Sequence, residues 1–324
     1  MDGLIRTVLG DIKSSEAGVC QCHEHLFIEM GKPYQMAKVL YMDDLQKSTD
    51  ELAGYREAGG SLVVDAQPVF TGRMAENLTA ASEKSDVHVV ASTGFYKTAF
   101  YEEDAYIYHK DENDIEDLYV SEAENGMLSS KKDGHRIISA RAGMIKTAID
   151  MGGIYASGVY EKLFFAAAGA AVRTGLPVIC HIEQGADALH VVDFFAQRGL
   201  AADRLLICHL DRARYDFAYH KEVLGTGAYL EYDTINRPKY LSNRQETDLI
   251  VAMLEAGFED RILLSLDTTN ARLRAYGADM GLDYILKEFV PQLKAAGAGE
   301  SQIKKMQSLN ARSALTIKKL KEKK

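Results

Sequence analysis

Eight short apolar runs, rich in β-branched residues and each followed by a polar loop, punctuate this chain. They are Val19–His25, Leu62–Gln67, His88–Phe95, Ala142–Ala148, Pro177–Ile182, Leu205–Leu210, Ala228–Asp233 and Ile262–Asp267. Runs of that length read as buried strands. Between them lie stretches with helical spacing: Met42–Ala58, with Leu45, Leu52 and Tyr55 on one side, then Val159–Thr174 and Asp187–Arg198. Strand and helix alternating eight times, with no strong linker between halves, predict an α/β fold. The architecture is one (β/α)8 barrel domain spanning residues 1–324. A doubly wound open sheet competes, but it gathers its ligands at one switch crevice. Here the chemically loaded residues end the first, fourth, fifth, sixth and eighth runs.

Two segments fall outside the repeat. Residues 4–18, with Gly10-Asp11 between two short extended runs, predict a β-hairpin capping the barrel bottom. The long loop after the third strand, Tyr96 to roughly Arg136, is rich in Tyr, Asp and Glu. It reads either as a lid over the site or as a solvated acidic insertion. The basic tail Lys318–Lys324 reads as a solvated helix end.

The loaded residues are His23-Glu24-His25, Lys146, His181, His209 and Asp267. His23 and His25 are two apart, so a strand carries both on one face and they can chelate one ion. His181 and His209 follow Ile179 and Ile207 in what alternation makes the inward phase. An all nitrogen and oxygen donor set suits Zn2+ first, and also Mn2+, Co2+ or Fe2+. Lys146 is the odd member, because an ammonium beside two dications is electrostatically untenable. Carboxylation of its amine by CO2 converts it to a bridging carbamate, N6-carboxylysine; the other reading is a buried ion pair with an acid such as Asp65. Asp267 can bind metal and also take a proton from the attacking water. Two dications with a carbamate, a carboxylate and a hydroxide leave about +1, which favours a transition state gaining an oxyanion.

Composition limits the partners. A net charge of −9 argues against a nucleic-acid surface, which wants a basic face. No run approaches ~18 consecutive apolar residues, so no membrane span is expected. The N-terminus lacks the basic and long apolar stretches of a signal peptide. Of four cysteines, Cys22, Cys180 and Cys208 each precede a candidate histidine. Alternation then turns those thiols outward, under the covering helices, as reduced groups in a cytoplasmic protein.

On these motifs the chain resembles the phosphotriesterase-like family of the amidohydrolase superfamily over nearly its whole length. The likeness rests on Gly18–Leu26, Ser92–Tyr96, Gly143–Lys146, His181, His209-Leu-Asp211, and Leu264–Thr268 with Tyr276-Gly277. It implies a binuclear metal-dependent hydrolase in which His23, His25, His181, His209 and Asp267 are ligands and carboxylated Lys146 is the bridge. It also implies a homodimer.

The family shares its metals among lactones, N-acyl bonds and organophosphate esters, so the loops must decide. After the seventh run come Arg237, Lys239, Tyr240 and Arg244; after the eighth come Arg272, Arg274 and Tyr276. Barrels recurrently hold phosphate in these two loops. Lys239, Arg272 and Tyr276 are therefore expected substrate-binding residues, and Tyr96, at the start of the loop after the third run, is expected to join them. The chain is similar to the branch that opens phosphorylated sugar lactones, aldono-1,4-lactone phosphates, by attack of a metal-bridging hydroxide. The absence of tryptophan and the polar loops weigh against neutral phosphotriesters and long-chain acyl lactones. The alternatives are a phosphotriesterase, an N-acyl amide or acyl-homoserine lactone hydrolase and, outside enzymes, a non-catalytic metal- or ligand-sensing barrel.

Overall fold

The structure is a computed structural model and describes residues 2–319. Within it β1 (Leu4–Thr7) and β2 (Gly10–Lys13) pair antiparallel, Leu4 opposite Lys13, as the expected hairpin. Then follow β3 (Val19–Glu24), β4 (Gly60–Asp65), β5 (His88–Gly94), β6 (Met144–Ile149), β7 (Val178–Ile182), β8 (Leu205–Cys208), β9 (Tyr229–Tyr232) and β10 (Ile262–Leu264). All eight run parallel and each pairs with its chain neighbour. The result is a (β/α)8 barrel. Most of the tail from Lys318 lies outside the described residues; the Lys318 ammonium sits 2.7 Å from Asp203.

The seam between the last strand and the first is joined largely by side chains. Ser265 Oγ accepts from the backbone N–H groups of Cys22 (2.8 Å) and His23 (2.9 Å). The Glu24 carboxylate accepts from Leu266 N (2.8 Å) and Thr268 N (3.1 Å), and Asp267 N donates to His23 O at 3.1 Å. These bonds satisfy backbone donors that an open edge would leave bare. They also bring the His-Glu-His segment beside Asp267.

Barrel interior and outer layer separate cleanly by alternation. Leu62, Val64, Val90, Met144, Ile179, Leu206, Tyr229 and Leu263 form an inner cluster with Ile5 of the hairpin beneath it. Val178, Cys180, Leu205, Ile207, Leu230 and Leu264 pack outward with the helices. Cys180 thus points outward as expected. Cys22 and Cys208 do not: both lie in the inner cluster. Cys22 follows the inward Cys20 in phase, and a register irregularity between Gln21 and Glu24 turns the neighbouring His23 inward as well. At β8 the left-handed backbone of His209 (φ 67°) swings its ring inward one residue after Cys208. Strict period-two reading fails where a strand bulges or ends in a kink.

The segment after β5 is mostly neither lid nor solvated insertion. Its helix Glu112–Glu124, capped by Asp111, buries Ile115, Tyr119, Val120 and Ala123 and packs on the helix Gly158–Thr174. It is pinned by a buried ion pair in which Arg73 reaches both Glu122 carboxylate oxygens, at 2.8 and 2.5 Å. Arg73 also donates to Ser92 O of β5 at 2.7 Å. Only the early part, with Tyr96 and Phe100, borders the cavity above the barrel.

Candidate metal centre and substrate cavity

The six expected ligands converge at the C-terminal mouth of the barrel. His23 and His25 come from the end of β3, Lys146 from mid-β6, His181 from β7, and His209 and Asp267 from the residues just past β8 and β10. Gly94 makes room for Lys146: a side chain there would strike the Lys146 backbone, while Phe95 N donates to Lys146 O at 2.9 Å. The four imidazoles form a chain, with ring centroids 5.6 Å apart for His23–His25, 4.7 Å for His23–His209 and 4.4 Å for His181–His209. His209 and Asp267 (φ 50°) both sit in the left-handed region that few non-glycine residues adopt. Such strain persists where surrounding structure enforces it, and it gathers at functional sites.

The donor spacing fits divalent ions. Lys146 Nζ is 3.2 Å from His23 Nε2, and Asp267 Oδ1 is 3.4 Å from His25 Nε2 and 3.8 Å from His23 Nε2. Bonds of about 2.1 Å to a tetrahedral ion set neighbouring donors about 3.4 Å apart. The Asp65 alternative for Lys146 falls away, because Asp65 accepts from Leu26 N (2.7 Å) and Gln67 N (3.1 Å) instead. Among the described residues Lys146 has no ion-pair partner.

One residue absent from the expected set organises it. Asp233, just past β9 and fully buried, accepts from His23 Nδ1 (3.0 Å) and from His209 Nδ1 (2.7 Å). That fixes both tautomers and leaves both Nε2 lone pairs free for metal. The signal was available, since Asp233 ends the seventh run as the ligands end theirs. Asp233 is held in turn by Asp211, which accepts from Asp233 N and Thr234 N.

Burial pushes the His181 imidazole down to about 3 and lowers His23 and His209 well below the usual histidine range. A group whose folded pKa is depressed binds fewer protons in the native state, so its stability contribution is lost as pH falls. The metal-free protein should therefore lose stability as pH drops from about 6.5 toward about 3. Urea midpoints of chelator-treated protein at pH 7.5, 6.0 and 5.0 check this; a constant midpoint contradicts it.

Burial works against ionising Asp267. The Arg237 guanidinium, His209, His25 and Arg212 outweigh it and hold the carboxyl well below the usual range. Arg212 and Arg237 reach Asp267 Oδ2 at 3.0 and 2.8 Å. Both arginines line a cavity of about 500 Å³ over the site, with His25, Gln67, Tyr96, Lys239 and Arg272. Neither was among the expected site residues, although each lies within four residues of a strand-end His or Asp.

The expected substrate-binding residues divide. Tyr96 faces the cavity, its hydroxyl 3.4 Å from His181 Nδ1. Lys239 is exposed on the cavity wall, its ammonium 4.5 Å above the Tyr240 ring. Arg272 borders the cavity, but its terminal nitrogens donate to Ile235 O (2.6 Å) and Asn236 O (3.0 Å), holding the loop after β9. Tyr276 stands outside the lining, its hydroxyl against Ser48 Oγ (2.8 Å) and donating to Asp44 O.

A parallel barrel with nitrogen and oxygen donors at its strand ends is the frame of a metal-assisted hydrolase. The phosphotriesterase family model matches residues 3–315, and the chain belongs to that family: it is a metal-dependent hydrolase. It is 29% identical to a phospho-furanose lactonase from Mycoplasmopsis agalactiae, covering 98% of this chain and 92% of that one. The crystal structure of an amidohydrolase from Mycoplasma synoviae superposes with a TM-score of 0.92 at 28% identity, covering 98% of this chain and 93% of that one. A lactonase from Listeria monocytogenes superposes at 0.89 and 29% identity, over 98% of this chain and 100% of that one. Among the described residues no helix is long and apolar enough to cross a membrane.

Proposed function

We propose that this chain opens a phosphorylated sugar lactone, an aldono-1,4-lactone phosphate, at a binuclear metal site. The observation that carries the reading is a cationic cavity in an acidic protein: Arg212, Arg237 and Lys239 line the space directly over the ligand cluster. Its likeness to lactonases in sequence and in structure supports the same reaction. A dianionic phosphate is the small group that such a cluster recognises with fork-shaped, charge-assisted hydrogen bonds.

His23, His25, His181, His209, Asp267 and carboxylated Lys146 would hold the two ions. Two divalent ions, Zn2+ by the donor set, supply a lowered water pKa and a polarised lactone carbonyl. The chain's own groups do the rest. Asp267, kept ionised by its arginines, accepts a proton from the attacking water as the new C–O bond forms. The ring C–O bond then breaks, and the same proton passes to the leaving alkoxide. Tyr96 donates a hydrogen bond toward the ring end of the substrate. Lys239 and Arg237 hold the phosphate, and Arg272 keeps their loop in place.

Lys239→Ala should raise KM for the phosphorylated lactone at least about tenfold, the loss of one charge-assisted hydrogen bond. KM for the unphosphorylated analogue should move far less. Steady-state kinetics on both substrates decide it, and equal effects on the two would remove the phosphate assignment.

A further inference from the structure

We infer that Glu183, braced by Lys97, is the carboxylate that orients His181 in the metal centre, a positioning residue outside the ligand set. Glu183 comes two residues after His181, just past β7. Its backbone N–H donates to Ile149 O of β6 at 3.1 Å, so the ladder continues and alternation keeps both side chains on one side. Glu183 Oε2 lies 3.5 Å from His181 Nε2 and 2.5 Å from Lys97 Nζ. The other carboxylate oxygen accepts from Gln184 N at 3.2 Å. Lys97 arrives from the loop after β5, its ammonium 5.9 and 5.8 Å from the centroids of the Tyr96 and Phe100 rings.

A neutral imidazole carries one N–H and one lone pair, and a carboxylate can only accept. His181 Nε2 therefore holds the proton. Its Nδ1 lone pair is left on the side of Tyr96, which lines the cavity and whose hydroxyl is 3.4 Å away. Asp233 does the equivalent work for His23 and His209, at 3.0 and 2.7 Å. It does not serve His181: among the described residues, Glu183 is the carboxylate within 4.0 Å of that ring.

The two supports differ in exposure. The Asp233 side chain is fully buried, whereas that of Glu183 is 37% exposed and that of Lys97 19%. Partners of this kind are worth about 10- to 100-fold in metal affinity, and solvent screening places Glu183 at the low end. At Lys97 a bare charge effect and a positioning effect have opposite signs. Removing a cation near two dications would tighten metal binding by Coulomb attraction alone. Removing the brace instead frees Glu183 from His181 and weakens it.

The inference rests on the binuclear reading, and the test separates the two. Stepwise removal of Zn2+ from the loaded protein by a competing chelator, in bicarbonate buffer, gives the affinity of each equivalent. Glu183→Gln should weaken one equivalent about tenfold and leave the other within about threefold. Lys97→Met should weaken the same equivalent, and the double variant should be no worse than Glu183→Gln alone. Thermal unfolding in chelator checks that all three variants fold as the wild type does; a merely structural ion pair would move that midpoint and neither affinity. Unchanged affinities in folded Glu183→Gln protein would overturn the role, as would equal losses at both equivalents or tighter binding in Lys97→Met. If the wild type holds only one equivalent, the binuclear reading fails. The affinity of that one site in Glu183→Gln then decides: a tenfold loss keeps the role and no change removes it.

Discussion

Asp267→Asn should leave a folded, metal-loaded protein whose turnover is lower by about 10³-fold or more, within the range for removing a general acid–base group. Asparagine matches the carboxylate in shape but cannot take a proton at neutral pH. One carboxylate oxygen faces the Nε2 atoms of His25 and His23, and the other accepts from Arg212 and Arg237. The arginines hold the group ionised, which is the state a proton acceptor needs before the reaction. Single-turnover kinetics, with circular dichroism and metal content measured on the same sample, separate chemistry from folding and loading. Turnover within tenfold of wild type would remove Asp267 from the proton path.

Lys146→Met carries the second large effect. Lys146 is fully buried mid-strand, with its Nζ against an imidazole and no carboxylate paired to it. An ammonium in that place would be an uncompensated buried charge, and methionine fills similar volume with none. If a carbamate is the bridge, the Met variant should fold at least as well as wild type yet hold less than one equivalent of metal, where wild type holds two. Metal analysis after growth with Zn2+ and bicarbonate reads this directly. Two equivalents retained at unchanged affinity would show that Lys146 is no ligand.

The barrel and its candidate ligand cluster were legible because both are written locally. Eight runs and their spacing specify the strands, and His23, His25, Lys146, His181 and Asp267 declare themselves as polar groups ending apolar segments. What escaped depends on contacts across the barrel or on backbone irregularity. His209 was assigned an inward position by alternation with Ile207, yet Ile207 packs outward and a left-handed kink turns the ring in. Cys22 and Cys208 lie inside by plain alternation with Cys20 and Leu206, and it is His23 and His209 that break phase. Asp233 joins His23 and His209 from three different strand ends, a relation no one-dimensional pattern contains. Arg237 and Arg272 look interchangeable as loop cations in sequence. Only their partners distinguish them, the carboxylate and backbone oxygen of Asp267 for one and the backbone carbonyls of Ile235 and Asn236 for the other.

The most direct test is a comparison of kcat/KM for an aldono-1,4-lactone phosphate and for the same lactone without phosphate, on Zn2+- or Mn2+-loaded wild-type protein. Charge-assisted recognition by two or three cations should favour the phosphorylated substrate by at least about 10²-fold, at about 1.5–3 kcal/mol for each hydrogen bond to a charged group. Equal values for the two lactones, or faster hydrolysis of an aryl phosphotriester than of either, would contradict it.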